Sequence, residues 1–470
     1  MLPMTLEEIA QAVGGALHGV PDPRAVVDRT VVIDSRHAVP GSLFVALPGE
    51  RTDGHHFAAA AVASGAVAVL AAHPVDVPAI VVQDPVDALA RLARTVLAGL
   101  DSPTVVALTG SAGKTGTKDL LGQLVEPTGS TVVAPLSYNN QIGLPLTVLG
   151  ADAGTRCLLV EMGASRAGHI RYLTGIVPPT VGLVLNVGTA HIGEFGGSKE
   201  AIAAAKGELV EALPPDGLAV LNADDPYVMA MAARTVARVL TFGRAAGDVR
   251  ATRVAVDQDG RPSFLLTHDG SRAPVRLGMH GEHHVANATA AAAVALSLGA
   301  ALDDVAEGLS SARQLSRGRM DVIERPDGVT VVNDAFNANP DSMDAALKAL
   351  AAMSGGRRRT VAVLGEMAEL GGASETYHAE LGRRVAAAGV SVLVAVGGAE
   401  AALIHGQAQA HGVTSALVPD REAALDLLCG CLEAGDLVLV KGSHSAGLEE
   451  TATRLARPDP VAVGTRRDGA

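Results

Sequence analysis

The chain has no tryptophan, and aromatic residues make up only 2% of its 470 residues. The stacking platforms on which single-strand nucleic-acid binders rely are therefore missing. Basic charge is also short, because 37 Lys and Arg face 50 Asp and Glu for a net charge of −13. An acidic chain gains little from phosphate backbones, which argues against nucleic acid as a partner. The three cysteines Cys157, Cys429 and Cys431 are too few for a disulfide framework or a four-ligand zinc site. Cys429-Gly430-Cys431 also lacks the two-residue gap of a redox pair, so buried small hydrophobes in a reducing compartment are expected. Long apolar runs are absent too. The most apolar stretch, Ala58–Ala72, is rich in Ala, Gly and Ser and stops at His73-Pro74, too short and too weakly apolar to span a bilayer. Met1–Glu8 carries neither the basic nor the apolar region of a signal peptide, so a cytoplasmic protein without membrane insertion is expected.

What is present is globular: 48% of residues are hydrophobic and 19% charged, with Ala, Val, Leu and Gly left to build the core. The length suggests two to four domains at roughly 100–200 residues each, and three α/β regions emerge. Residues 1–100 mix short strands (Arg29–Asp34, Ser42–Leu47, Ala66–Leu70, Ala79–Val82) with helices at Gly54–Ser64 and from about Val86. Asp101-Ser102-Pro103 reads as a hinge, because Pro resists continuing that helix. Residues 101–312 alternate apolar strands (Thr104–Leu108, Leu158–Glu161, Val181–Asn186, Leu218–Asn222) with helix-length segments, which indicates a mostly parallel sheet. Between Asp248 and Leu277 alternating strands take over, with Asp259-Gly260 and Asp269-Gly270 as hairpin turns, before an Ala-rich helix over Ala286–Leu298. Residues 313–470, with strands at Val329–Asn333, Thr360–Leu364, Val392–Val396 and Leu437–Val440, read as a Rossmann-like doubly wound sheet with a fraying tail after Arg457.

The strongest local signal is Thr109-Gly110-Ser111-Ala112-Gly113-Lys114-Thr115, set between a buried strand and a helix. Glycines let backbone N–H groups turn inward around phosphate oxygens, and the helix N-terminus adds positive partial charge. Lys114 would reach the β/γ-phosphates and the Thr115 hydroxyl would hold Mg²⁺. The usual GxxxxGK[ST] spacing asks for Gly where this chain has Leu108, and Gly110 supplies the early turn instead. Glu161 ends the next apolar strand, where a carboxylate is placed either to ligate Mg²⁺ or simply to meet solvent. His191 follows a third such strand and is an unusual partner for a hard cation. Arg357-Arg358-Arg359 reads as a solvated loop, and His55-His56 and His283-His284 as surface pairs without metal-ligand spacing.

Together with these motifs, Tyr138–Pro145, Glu161–Ala164, Asn186–His191, Ala205–Glu208, Asn222–Asp225, His284–Ala288, Gly318-Arg319, Asn333–Pro340, Leu364–Gly371 and Lys441–Ser443 give the chain an end-to-end resemblance to the Mur ligase family. These are the ATP-dependent amide-forming enzymes of peptidoglycan precursor synthesis. Within the family the chain most resembles the branch whose amine substrate is D-alanyl-D-alanine and whose acid substrate is UDP-N-acetylmuramoyl-tripeptide.

The resemblance implies a monomeric ligase using ATP and two Mg²⁺, with an acyl phosphate as intermediate. It gives Lys114 and Thr115 the phosphate and Mg²⁺ contacts, Glu161 and His191 the second metal, and Lys206 a carbamylated, metal-binding form. A solvated helix lysine beside Glu208 is the plainer reading of Lys206. Asn287 is implied to contact adenine, Asp334 the ribose, Arg319 the γ-phosphate, and Asn337 to help hold nucleotide. Arg317 competes with Arg319, because Ser316-Arg317-Gly318-Arg319 lacks the Pro that often precedes the Gly-Arg pair. Asp34-Ser35-Arg36, Arg51-Thr52-Asp53-Gly54-His55 and Asn139-Asn140 resemble substrate-binding parts, the first two for the uridine diphosphate sugar. The third region lacks the Asp-Asn-Pro-Arg box of the sister enzyme that adds a diamino acid, and reads Phe336-Asn337-Ala338-Asn339-Pro340-Asp341 instead. The alternatives are a sister or polyglutamate-type ligase with another amine, and a P-loop ATPase that drives a conformational switch without ligation.

Overall fold

The computed structural model describes residues 1–49 and 52–457, so Arg51 and the tail after Arg457 lie outside the described residues. The fold is α/β throughout, organised around three substantial sheets. The first runs Ala16–His18, Ala79–Val81, Ala68–Ala71, Leu43–Val45, Val31–Val32, parallel except for its first strand. Its outer strands are shorter than the apolar runs promise. Asp34 turns the chain into a 3₁₀ segment at Ser35–His37 by accepting the Arg36 N–H, and Asp53 does the same at Gly54–Phe57, leaving an α-helix only over Ala58–Ala63.

The second sheet has nine strands in the order Ser271–Arg276, Pro262–His268, Val249–Val256, Arg238–Gly243, Leu218–Asn222, Val181–Val184, Thr104–Thr109, Cys157–Glu161, Thr131–Val133. The three strands from Ser271–Arg276 to Val249–Val256 form the antiparallel meander, and the rest are parallel. Thr104–Thr109 is Val- and Leu-rich and buried from Val105 onward, as a central parallel strand with helices on both faces must be. It sits between Val181–Val184 and Cys157–Glu161, so three carboxyl ends meet at one place. The helix Lys114–Val125 starts there, with Gly113 at φ +82° as its left-handed cap. Against it packs the buried helix His284–Ser297, whose alanines permit close approach. A Cβ at Gly113 would collide with the Asn287 amide, so small residues on both helices bring Asn287 to the phosphate loop.

The third sheet runs Asp321–Glu324, Thr330–Asn333, Leu437–Lys441, Thr360–Leu364, Val392–Val396, Thr414–Val418, with only the first strand antiparallel. The edge strands Asp321–Glu324 and Thr414–Val418 escape a sequence reading because their half-exposed residues break the apolar run. Three expectations are corrected. Of the cysteines only Cys157 is buried; Cys429 is exposed and Cys431 intermediate. Arg358 and Arg359 are tied down rather than solvated. Arg358 donates to Gly435 O, Asp436 O and Thr330 Oγ1, and Arg359 to Cys431 O. His55 and His284 are buried: His55 accepts the Ala72 N–H and stacks on His73, and the His284 ring lies against His283 at the cavity wall.

Candidate active site

A cavity of about 630 Å³ opens where the carboxyl ends of the central strands face the third sheet. Ser111, Ala112, Gly113, Lys114, Thr115, Asn139, Asn140, Glu161, His191, Lys206 and Asn287 line it from the central region, and Arg319, Asp334 and Asn337 from beyond it. Thr109 and Gly110 are not among its lining residues; Gly110 is packed tightly on Leu185. The loop's conformation is held by Asn186, whose Oδ1 accepts the N–H groups of Ser111 (3.0 Å) and Ala112 (2.9 Å) while its Nδ2 donates to Ala112 O. Lys114 Nζ curls back to donate to Gly110 O at 2.8 Å.

The electrostatics are unusual for a protein interior. Glu161 has 0% exposure, and both its oxygens are buried without a hydrogen bond of normal geometry among the described residues. Desolvation pushes its carboxyl above the ordinary range, against the charges of Lys114, Lys118 and Arg319 and the Thr115 hydroxyl. Lys206 is 4% exposed, with no hydrogen-bond or ion-pair partner given by any described residue. The solvated-lysine reading is thus overturned. Burial, then the Lys114 charge, brings its amine well below the ordinary lysine value and toward the neutral form. Burial also lowers Lys114, with Arg319 adding to the shift and Glu161 opposing it.

Other charges close on partners. Lys441 Nζ donates to Asp334 Oδ2 at 2.6 Å, and Met320 N donates to Asp334 Oδ1 at 3.1 Å. Asp341 Oδ2 accepts the N–H (2.7 Å) and hydroxyl (2.8 Å) of Thr189, and His191 Nδ1 lies 2.5 Å from Glu369 Oε2. What remains uncompensated is Lys114 and Arg319 against Glu161, a net positive cluster suited to a polyanion.

Arg319 enters the cavity with its guanidinium 4.2 Å from the centre of the Phe336 ring and Nη2 near Thr115 Oγ1 (3.4 Å) and Ser137 Oγ (3.3 Å). Arg317 is exposed and does not line the cavity. The structure does not bring Asp34, Ser35, Arg36, Thr52, Asp53, Gly54 or His55 to this cavity; they belong to the first sheet's surroundings. There Asp34 is engaged with Arg36 at 2.6 Å, and Asp53 with His55 at 2.6 Å. Sequence reasoning gave no role to Lys441, Asp341 or Glu369, and it put His284 at the surface. Both ring nitrogens of His284 are buried beside Asn287 without a hydrogen-bond partner among the described residues, and burial holds its pKa well below the ordinary histidine value. The only signal for His284 was its place three residues before Asn287.

The Mur ligase middle domain matches residues 108–295, the Mur ligase glutamate ligase domain residues 318–444, and the Mur ligase family catalytic domain residues 29–96. The chain therefore belongs to the Mur ligase family. It is 47% identical to the UDP-N-acetylmuramoyl-tripeptide–D-alanyl-D-alanine ligase of Mycobacterium tuberculosis, over 98% of this chain and 99% of that one. Crystalline MurF from Acinetobacter baumannii superposes with a TM-score of 0.84 at 33% identity, covering 97% of this chain and 99% of that one. MurF from Thermotoga maritima in complex with ADP gives 0.77 at 32% identity, covering 92% and 97%.

Proposed function

We propose that the chain is an ATP-dependent ligase that joins D-alanyl-D-alanine to UDP-N-acetylmuramoyl-tripeptide, releasing ADP and phosphate. The observation that carries this reading is the cavity where a phosphate loop, an orphaned buried carboxylate and a guanidinium from the third region converge. Residues 1–100 hold the UDP-sugar, with Asp34–Arg36 and Thr52–His55 shaping that site. Residues 101–312 hold ATP, and residues 313–470 close on ATP and bind the amine. We read the chain as a cytoplasmic monomer; no helix among the described residues is long and apolar enough to cross a membrane.

A free carboxylate resists an amine because it is anionic and has no competent leaving group. In the proposed reaction the tripeptide carboxylate takes the γ-phosphoryl of ATP, and the amine of the dipeptide then displaces phosphate from the acyl phosphate. Catalysis is then mainly positioning and charge neutralisation. Lys114 leaves Gly110 O to meet the β/γ-phosphates, the loop N–H groups not engaged by Asn186 hold phosphate oxygens, and Arg319 faces the transferred phosphoryl. Asn287, with His284 beside it, faces the adenine. Asp334, already fixed by Lys441 and Met320, presents its carboxylate to the ribose, with Asn337 alongside. Asn139 and Asn140 border the path of the peptide acid. Mg²⁺, when bound, supplies further neutralisation between triphosphate and carboxylate. Thr115, Glu161, His191 and a carbamylated Lys206 are the residues that would hold it. The unpartnered Glu161 oxygens fit a cation, and the amine-favouring surroundings of Lys206 fit carbamylation, which needs the neutral amine.

The test is isotopic. With ¹⁸O in the tripeptide carboxylate, one labelled oxygen is expected in released phosphate, and ADP release is expected to need both the UDP-linked peptide and the dipeptide. Unlabelled phosphate, or ADP release with neither substrate present, would remove the ligase reading and favour the ATPase switch. A mass-spectrometric panel of amine acceptors separates it from sister ligases.

A further inference from the structure

The helix that opens at the phosphate loop, Lys114–Val125, carries Thr115, Asp119 and Gln123 at positions i, i+4 and i+8, on one face. All three are engaged by the segment that leads into the third region. The Gln123 amide makes a mirrored pair with the main chain of Arg313: Oε1 accepts Arg313 N–H at 2.9 Å and Nε2 donates to Arg313 O at 3.0 Å. Gln123 Nε2 is oriented for this by also donating to Asp119 O at 2.9 Å. One turn nearer the loop, buried Asp119 accepts the Ser316 N–H through Oδ2 at 3.0 Å, while its Oδ1 meets Lys118 Nζ at 2.9 Å. At the loop itself, Arg319 reaches Thr115.

Beyond Ser316 the allegiance changes. Gly318 N donates to Asp321 Oδ2 at 2.5 Å, Phe336 N donates to Gly318 O at 3.2 Å, and Met320 N donates to Asp334. Gly318 and Met320 both have positive φ, at +68° and +61°, so the chain bends sharply on both sides of Arg319. Residues up to 316 therefore belong mechanically to the phosphate-loop helix and residues from 318 to the third region. Only the exposed Arg317 lies between them.

We propose that Asp119 and Gln123 are positioning residues that strap the linker to the phosphate-loop helix. Movement of the third region then pivots at Arg317–Gly318, and Arg319, two residues beyond the strap, always arrives in one register over Thr115. This rests on the reading that Arg319 faces the transferred phosphoryl group. ATP binding on the loop does not need the strap, whereas alignment of the reacting groups does.

The test uses the full-length chain. In Gln123→Ala, kcat is expected to fall about tenfold through misplacement of Arg319, with KM for ATP within about twofold, and Gln123→Glu, which keeps the acceptor for Arg313 N–H, should lie between. Arg319→Ala alone should cost about 10²–10³ in kcat, and the Gln123→Ala/Arg319→Ala double variant should cost no more than that. Full additivity of the two losses, or wild-type kcat in Gln123→Ala, would overturn the proposal. Hydrogen exchange without nucleotide reads the strap itself: the Arg313 amide should exchange at least tenfold faster in Gln123→Ala, and unchanged exchange would also overturn it. Wild-type turnover in Arg319→Ala would instead sink the phosphoryl-facing role of Arg319, leaving the exchange result to decide whether the strap exists.

Discussion

Two clusters of polar side chains in this chain look alike in composition and differ in how they end. Beside the first sheet, Asp53, His55 and His73 bring their ligand atoms within 4.8 Å of one another. In the cavity, Glu161, His191 and Lys206 are all lining residues. The first cluster is closed. Ala72 N–H donates to His55 Nε2 at 2.9 Å, which puts the ring proton on Nδ1, where it is given to Asp53 Oδ1. With both nitrogens engaged, His55 has no lone pair left for a metal, and its ring instead stacks on His73 at 4.1 Å between centroids. The second is open at two of its three members: among the described residues no hydrogen bond of normal geometry reaches buried Glu161 or Lys206, while His191 Nδ1 meets Glu369. Buried polar groups are ordinarily satisfied because leaving them bare is costly. We read groups left bare in this way as a place held for a ligand, so satisfaction, and not residue type, is what sets the two clusters apart.

The largest expected effect tests the open cluster at its cation. Lys114→Ala should lower kcat by about 10²–10³ or more while the far-ultraviolet circular dichroism stays native, since removing one preorganised donor to developing charge costs on this order. Turnover close to wild type would take the phosphate loop out of the chemistry. Glu161→Gln is the sharper instrument. It removes a buried charge without changing shape, so thermal stability should hold or rise while kcat falls about 10²-fold, the trade expected of a strained functional site. A large loss of melting temperature would mean that the carboxylate serves the fold.

His55→Ala should show the opposite pattern. It strips the acceptor from the part-buried Ala72 N–H, which should cost about 1–3 kcal/mol in urea unfolding. Saturated turnover should stay within severalfold of wild type, with any kinetic effect falling on KM for the UDP-linked substrate. Unchanged stability together with abolished turnover would place His55 among the reacting groups and dissolve the contrast.

Sequence reasoning found the open cluster more readily than the contacts that complete it. Lys114 and His191 follow apolar strands and Glu161 ends one, and parallel strands collect their carboxyl ends, so the pattern alone points to them. The pairings Thr189–Asp341 and Lys441–Asp334 join positions 152 and 107 residues apart, which no local spacing encodes. The strap of Asp119 and Gln123 is hidden for a related reason: polar residues on a helix read as solvated until the linker lies over them. His284 was misplaced because the alanine run that buries its helix on all sides leaves no amphipathic stripe to orient it. The fold class survived these gaps because it depends on strand and helix order, which composition and breakers expose. The tied-down Arg358 and Arg359 show that a charge run can be structural without altering that order.

The smallest effect sharpens the comparison from within one strand. Cys157 and Glu161 stand at opposite ends of Cys157–Glu161, and both are buried. Yet a neutral thiol is a small hydrophobe, and burying it unpartnered costs little, whereas a carboxylate is expensive to desolvate. Burial pushes the Cys157 thiol up to about 11, so near pH 8 only about one molecule in 10³ carries the reactive thiolate, and that one is shielded. Because the folded value lies above the unfolded one, this thiol's contribution to stability is complete below the ordinary thiol pKa of 9.0 and is lost as pH rises through about 11. A maleimide at pH 7–8 should therefore label exposed Cys429 first and leave Cys157 untouched until the chain is unfolded, with turnover unchanged because neither thiol lines the cavity. Rapid native labelling of Cys157, read by peptide mass spectrometry, would show that this end of the strand opens, and that unpartnered burial there carries more than packing.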